Sequence, residues 1–322
     1  MASTLAAQTS KTVILSTGGT IAGRAAGSAD NVSYRAGVVS PEQLVAAVAA
    51  LQAVPLEVQD LAQVDSKDMT HALWCQLTAA VTQALARADV GGVVVTHGTD
   101  TLEETAYWLH RTVPAYKPVV LTAAMRPASS LQADGPQNLL DAVTVARSGG
   151  YGAGVSGVVV VIAGKVHAGH EIRKVHNYRV DAFSSGDAGP LALLEEGRLR
   201  VLRPWPNAQP AAVDWASMDA DHWPWVELVS SHAGASRRAV DALVNAGVQG
   251  LVVSATGNGS VHRALLGALE DAAQRGVKVL RATRCALGTL VDDGQALEGA
   301  GGLTPAQARV ELMLRLLSKP KP

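Results

Sequence analysis

Two runs of β-branched residues, Thr12-Val-Ile-Leu-Ser16 and Val93-Val-Val95, each break off into a turn of glycine and bare threonines. The turns read Thr17-Gly-Gly-Thr-Ile-Ala-Gly23 and Thr96-His-Gly-Thr-Asp-Thr101. An apolar β-branched run bounded by a glycine turn is the signature of a strand buried on both faces, as in a parallel sheet. The ends of such strands are where open α/β sheets bind ligands. Two hydroxyls and a carboxylate, Thr20, Thr99 and Asp100, are therefore expected to converge there. A threonine acts as a nucleophile only when a neighbouring base takes its proton, and Thr99 followed by Asp100 supplies half of such a relay.

The rest of the chain continues the alternation. Val13–Leu15 precedes a helical pattern from Pro41 to Leu51; Val93–Val95 precedes one from Thr101 to Arg111; Val119–Thr122 precedes one from Pro136 to Ser148; and Val158–Ile162 follows. Ser40-Pro41 has the form of an N-cap followed by proline at the first helical position. This is the pattern of a mostly parallel sheet covered by helices on both faces. Between about Arg203 and Pro224 the composition changes: Pro204, Pro206, Pro210 and Pro224 lie among Trp205, Trp215 and Trp223 and forbid a continuous helix. The chain is thus expected to be α/β, with a larger N-terminal domain over 1–203, a proline- and tryptophan-rich linker over 204–224, and a smaller α/β domain over 225–322. Helix Ser236–Ala246, strand Leu251–Ser254, helix Val261–Gln274, strand Val277–Arg281 and helix Pro305–Leu317 are expected in the smaller domain.

Charge narrows the partners. With 27 basic and 28 acidic residues the net charge is -1, which supplies no basic stripe for a phosphate backbone, so nucleic acid is excluded and a small molecule expected. The longest apolar runs, Leu44 to Leu56 and Tyr151 to Gly164, contain a proline or several glycines and fall short of the roughly 20 residues a bilayer helix requires. The first residues lack a basic start and a sustained apolar core, so a cytoplasmic location is expected, or a periplasmic or secreted one if a leader has been removed. Cys75 and Cys285 have no metal-type neighbours and read as two buried free thiols, although two cysteines alone do not settle pairing. His167, His170 and His176 do not have the spacing of a helix-face metal pair, so no metal site is expected.

With Glu103-Glu-Thr-Ala-Tyr107, Ala124-Met-Arg-Pro127, Ala133-Asp-Gly-Pro136, Asn138-Leu139 and Gly257-Asn-Gly259 added to the two threonine segments, the chain resembles the bacterial-type L-asparaginase and glutaminase-asparaginase family, nearer to its type II branch. The resemblance runs over nearly the whole chain. It implies hydrolysis of L-asparagine to L-aspartate and ammonia through an acyl-enzyme, with side activity on glutamine and no cofactor. Thr20 corresponds to the nucleophile and Tyr34 to a lid tyrosine that closes over it, the lid beginning at Ile21. Thr99, Asp100 and Lys174 correspond to a second set in which lysine, held by the aspartate, deprotonates the threonine; Arg173 beside it cannot give up a proton in a protein.

Ser66 and Asp68 match a loop that holds the substrate's α-carboxylate and α-amine, while Ala124 lies in a further substrate-binding segment. Lys67 stands where type II relatives carry Gln or Glu; it is expected either to face the substrate's ammonium, which it would repel, or to turn away and pair with Asp65 or Asp68. In such a family the site is completed by a neighbouring subunit in a homotetramer built as a dimer of dimers. Ser260 and Asp293, with Asp292 and Glu298 as rivals, match the residues supplied. Two other readings retain the family likeness: an ammonia-supplying subunit of a tRNA-dependent amidotransferase, and a non-catalytic amino-acid sensor. The intact set of Thr20, Thr99, Asp100 and Lys174 argues against the sensor.

Overall fold

The structure is a computed structural model that describes residues 10–148, 155–205, 213, 215, 223–291, 294 and 296–318. It divides into two compact units, Met1–Pro210 and Ala211–Pro322. The stretch expected as a linker falls largely outside the described residues.

In the first unit β1 (Lys11–Gly18) leads through a tight turn at Thr20 into a small antiparallel ribbon, β2 (Arg24–Ala25) with β3 (Tyr34–Arg35). Helix α1 (Pro41–Ala46) follows, capped as expected: Ser40 Oγ accepts from Gln43 N–H and the Gln43 side chain accepts from Ser40 N–H, with proline at the first turn. The helix does not run on to Leu51. Val48 is extended and Ala49–Leu51 is a separate 3-10 turn, an arrangement in which both Val48 and Leu51 are buried. Next come β4 (Leu56–Val64), α2 (His71–Ala86), β5 (Val90–Thr96), α3 (Leu102–Thr112), β6 (Val119–Thr122), α4 (Gly135–Ser148) and β7 (Val158–Ile162). The unit closes with β8 (Lys165–Ala168), the short β9 (Arg173–Lys174) and β10 (Phe183–Ser184), then β11 (Ala192–Glu195) and β12 (Arg198–Val201).

The main sheet has the order β12-β11-β8-β7-β6-β5-β1-β4. From β4 to β7 every neighbouring pair is parallel, whereas β8, β11 and β12 add an antiparallel end. The central strands are buried along almost their whole length, which is why they read as unbroken apolar runs. Leaving β1, the chain goes first to β4 on one side and then to β5 on the other. The strand order therefore reverses at β1, and the crevice beyond the carboxyl ends of β1 and β5 is the place such a sheet offers a ligand.

The second unit is a parallel sheet of β13 (Val226–Ser230), β14 (Gly250–Ala255), β15 (Lys278–Thr283) and β16 (Glu298–Gly299), with α5 (Arg238–Asn245), α6 (Arg263–Gln274) and α7 (Pro305–Leu317). Its apolar core includes Val240, Leu251, Val253, Leu265 and Leu269. Helix α7 carries a second reciprocal cap between Thr304 and Gln307.

The expectation of two buried thiols fails. Cys75, on α2, is half-buried and Cys285 is exposed, and neither forms a disulfide. Among the described residues no helix is long and apolar enough to cross a membrane.

Candidate active site

Three loops meet at the reversal point because glycine removes the side chains that would separate them. Gly19 has φ +83, and a Cβ placed on it would lie 2.4 Å from Gly98 Cα; one placed on Gly98 would lie 2.5 Å from Ser66 Oγ. The turn after β1 thus rests on the turn after β5, which rests on the loop after β4. Hydrogen bonds lock the contact. The Thr17 hydroxyl donates to the Thr96 carbonyl (3.0 Å), Asp100 N–H donates to Ser66 Oγ (3.1 Å), and the Thr101 hydroxyl donates to the Ser66 carbonyl (2.7 Å).

Two polar pairs emerge from this base. Thr20 Oγ1 lies 2.6 Å from Tyr34 Oη, so the ribbon strand β3 places a phenol on the hydroxyl at the start of the Thr20 turn. Lys174 Nζ donates to Thr99 Oγ1 (3.0 Å) and to Asp100 Oδ1 (2.7 Å). The backbone of Lys174 is held by Glu103 Oε2, which accepts its N–H at 2.8 Å from the first turn of α3. Thr20, Tyr34, Thr99, Asp100 and Lys174 all line one pocket of about 170 Å³, with Asn31, Val32, Met125, Arg126, Asn177 and Tyr178. Both threonines are buried as residues and line this pocket.

The base of the pocket is itself anchored. Asp134 carboxylate oxygens accept from Met125 N–H (3.0 Å), Arg126 N–H (2.9 Å) and Asn138 Nδ2 (3.1 Å). Burial pushes the Asp134 carboxyl up, with those hydrogen bonds opposing it. The Arg126 guanidinium stacks over the Tyr178 ring at 4.0 Å and donates to the Tyr178 carbonyl (2.7 Å). Beneath the Thr99 turn, His97 is wholly buried. Gly98 O can only accept, so His97 Nδ1–H donates to it (2.8 Å), and Nε2 accepts from the Thr105 hydroxyl (3.0 Å), whose oxygen in turn accepts from Trp74 Nε1–H (2.9 Å). Burial holds His97 neutral, its pKa lowered to about 4.

The other sequence-selected residues are placed differently. Ser66 is buried with its oxygen engaged by Asp100, and the Ala124 side chain is fully buried. Lys67 turns outward: Nζ lies 2.5 Å from Asp65 Oδ2 and 3.4 Å from Asp68 Oδ2, and its side chain is 60% exposed. These pairings raise its pKa, the Asp65 hydrogen bond foremost. In the second unit Ser260 is exposed, and its backbone forms an isolated antiparallel bridge with Thr256. Asp292 and Asp293 lie outside the described residues, and Glu298 pairs with Arg315 (2.7 Å). The three histidines have separate surroundings. His167 is buried on β8 with Ser185, His170 stacks on His110 at 4.4 Å, and His176 caps its own turn by accepting from Tyr178 and Arg179 N–H.

Sequence reasoning did not single out the wall residues Asn31, Val32, Asn177 and Tyr178, for which no local signal existed. Glu103 was in view as part of a motif, and a carboxylate in the first turn of a helix that follows Thr99-Asp100 was a usable sign.

Comparison with known proteins bears on the family of the chain. Residues 11–207 match the family described as Asparaginase, N-terminal, and residues 225–322 match the Glutaminase/Asparaginase C-terminal domain. The chain is 35% identical over 316 residues to L-asparaginase 2 of Escherichia coli strain K12, covering 96% of this chain and 89% of that one. It is 34% identical over 312 residues to the glutaminase-asparaginase of Pseudomonas fluorescens biotype A, covering 94% and 85%. Among solved structures, the probable cytoplasmic L-asparaginase of Campylobacter jejuni superposes with a TM-score of 0.88 at 34% identity, covering 96% of each chain.

Proposed function

This chain belongs to the asparaginase family of amidohydrolases, and on that premise we propose that it hydrolyses L-asparagine to L-aspartate and ammonia with Thr20 as nucleophile, glutamine being a minor substrate. The observation that carries this reading is Lys174 Nζ held between Thr99 Oγ1 and Asp100 Oδ1 on the same pocket as the Thr20–Tyr34 contact. A sensor would need neither pair.

Each half-reaction moves one proton. In the first, Thr20 Oγ1 attacks the amide carbon, its proton goes to the departing nitrogen, and ammonia leaves behind an ester on Thr20. In the second, water attacks that ester and its proton returns to Thr20 Oγ1. Two polar chains reach the pocket to carry these protons. Tyr34 Oη takes the Thr20 proton as it hands its own to the departing nitrogen, and Lys174 in its neutral form takes the Thr99 proton, becoming an ammonium whose charge Asp100 balances, and returns it as the step ends. Glu103 acts through Lys174 by fixing its backbone. The α-ammonium of the substrate pairs with Asp100, whose carboxylate is half-exposed at the pocket.

The chemistry belongs to the N-terminal domain, 1–203, with 204–224 as linker. The C-terminal domain, 225–322, offers Ser260 and an acid, Asp293 being the choice, to the site of a neighbouring subunit in a homotetramer. Ammonia release from asparagine by the purified chain alone tests the reading. Wild type should release it and Thr20→Ala should not, while circular dichroism stays unchanged; a protein that needs a second, different polypeptide, or a Thr20→Ala variant that keeps a tenth of kcat, overturns it.

A further inference from the structure

A second hollow, of about 440 Å³, opens beside the Thr20 turn and is not the pocket described above. Its floor is apolar, formed by the buried Ile21, Val39, Leu44 and Leu139 together with Pro136, which is exposed. Arg24, Gln43 and Ser129 complete it as polar groups, and its lining contains no carboxylate. A concave apolar surface with a few convergent polar groups is the ordinary form of a small-molecule site.

The polar groups all have donors to spare. Gln43 Oε1 accepts from Ser40 N–H, which leaves the amide nitrogen, and Ser129 Oγ accepts from Ala25 N–H, which leaves the hydroxyl proton. Arg24 makes no ion pair among the described residues, and it sits directly opposite Arg35 across the β2–β3 ribbon, which makes no ion pair either. Like charges facing each other across a two-stranded ribbon destabilise it. Two arginines opposed across the ribbon, one of them lining an acid-free apolar hollow, call for an anion with an apolar body.

We infer that this hollow binds a small amphipathic carboxylate, its alkyl or aryl body lying on Ile21, Val39, Leu44 and Leu139 and its carboxylate on Arg24. Guanidinium and carboxylate form strong charge-assisted hydrogen bonds, here beside a partly desolvated wall. The site also adjoins the segment that closes the catalytic pocket. Ile21 follows Thr20, Ala25 pairs with Tyr34, and Ala128 N–H ties the outer wall to the Gly23 carbonyl (2.9 Å). A bound carboxylate therefore buttresses the ribbon that carries Tyr34.

Calorimetry with octanoate and the intact protein tests this without reference to turnover, so its failure is distinct from failure of the proposed reaction. Octanoate should bind saturably, one per chain, and 1-octanol and octylammonium at least tenfold more weakly. Arg24→Gln should weaken octanoate at least tenfold. Ala47→Trp, an exposed position whose added ring fills the mouth, should abolish binding and leave the thermal midpoint unchanged. Absence of saturable binding, equal binding of octanol, or retention of binding in Ala47→Trp overturns the site. Hydrogen exchange reads the buttress: octanoate should slow the amides of Ala25 and Tyr34, and unchanged exchange in a saturated sample overturns that coupling.

Discussion

Gly19 and Gly98 touch backbone to backbone, so closely that a single methyl on Gly19 would sit 2.4 Å from Gly98 Cα and 2.7 Å from the His97 carbonyl carbon. That contact puts the turn bearing Thr20 against the turn bearing Thr99. Neither partner is the far end of a flexible side chain, so the contact has no cheap way to relax.

Gly19→Ala is accordingly expected to do two kinds of damage. The left-handed φ of +83 and the clash together should cost about 2 to 4 kcal/mol of stability. Thr20 should also be displaced from Thr99 and Lys174, lowering kcat by about a hundredfold, since misplacement by an ångström costs on that order. Urea unfolding and steady-state ammonia release check the two effects separately; a variant with native midpoint and native kcat would show that the turns are not held by this contact.

The arrangement of Lys174 leads to a sharper test. Lys174→Arg keeps a cation beside Asp100, but a guanidinium does not give up its proton. If Lys174 carries a proton for Thr99, then Lys174→Arg, Lys174→Met and Thr99→Val should each lose about a thousandfold or more in kcat, because residues of one relay fail as a unit. An active Lys174→Arg enzyme would reduce Lys174 to an electrostatic anchor.

How much of this was legible depends on where each residue sits. The strands β1, β5, β6 and β7 are buried on both faces, so their apolar runs announced them, and the threonine turns at their ends were visible for the same reason. β4 was not seen, because as the edge strand it is half-exposed and reads Leu56-Glu-Val-Gln-Asp-Leu-Ala-Gln-Val64, a mixed pattern that no periodicity isolates. The antiparallel end, β8 with β11 and β12, follows the parallel core with no change of composition to mark it. Lys67 could not be oriented from sequence: its direction is set by which carboxylate its flexible stem reaches. Nor could His97 be read as buried, since its place under Thr99 depends on Thr105 and Trp74, 8 and 31 residues from their respective partners.

The observed pairing of Lys67 with Asp65 and Asp68 favours the second of the two expectations held for it. With its ammonium on Asp65 and Asp68 and pointing to solvent, removal of its charge should not relieve any repulsion with the substrate's α-ammonium. Lys67→Gln should leave KM for asparagine within about twofold of wild type. A fivefold drop in KM would mean that the side chain swings into the site when substrate arrives.

If Ser260 completes the site of a neighbouring subunit, activity should track assembly. Ser260→Ala should raise KM by about tenfold, the loss of one hydrogen bond to a charged substrate group, with kcat little changed. Enzyme diluted until light scattering reports monomers should be inactive. A fully active monomer would end the shared-site reading.

The buried histidines give the protein an acid limb whose sign follows from their environments. Burial lowers His97 to about 4 and His167 to about 4, and lowers His110 to about 3 with help from the nearby His170 and Arg111. Unfolded histidine titrates near 6.5, so between pH 6.5 and about 4 the unfolded chain takes up protons that the folded chain refuses, and stability falls as pH falls. Above pH 7 these groups contribute no slope. Asp134 and Asp141, raised by burial, act in the opposite direction at the acid end, while Glu57, lowered to about 2 chiefly by its hydrogen bonds to Arg87, adds a loss as pH drops from about 4.5. From pH 7 to pH 5 a histidine shifted in this way costs about 2 kcal/mol. The unfolding free energy from urea titrations should therefore drop by several kcal/mol over that interval, and in His97→Asn the drop should be smaller by about 2 kcal/mol, whatever the variant's stability at pH 7. Equal slopes in the two proteins would show that His97 is protonated in the folded state, and with it that the hydrogen bond from Thr105 is not the one that holds the ring.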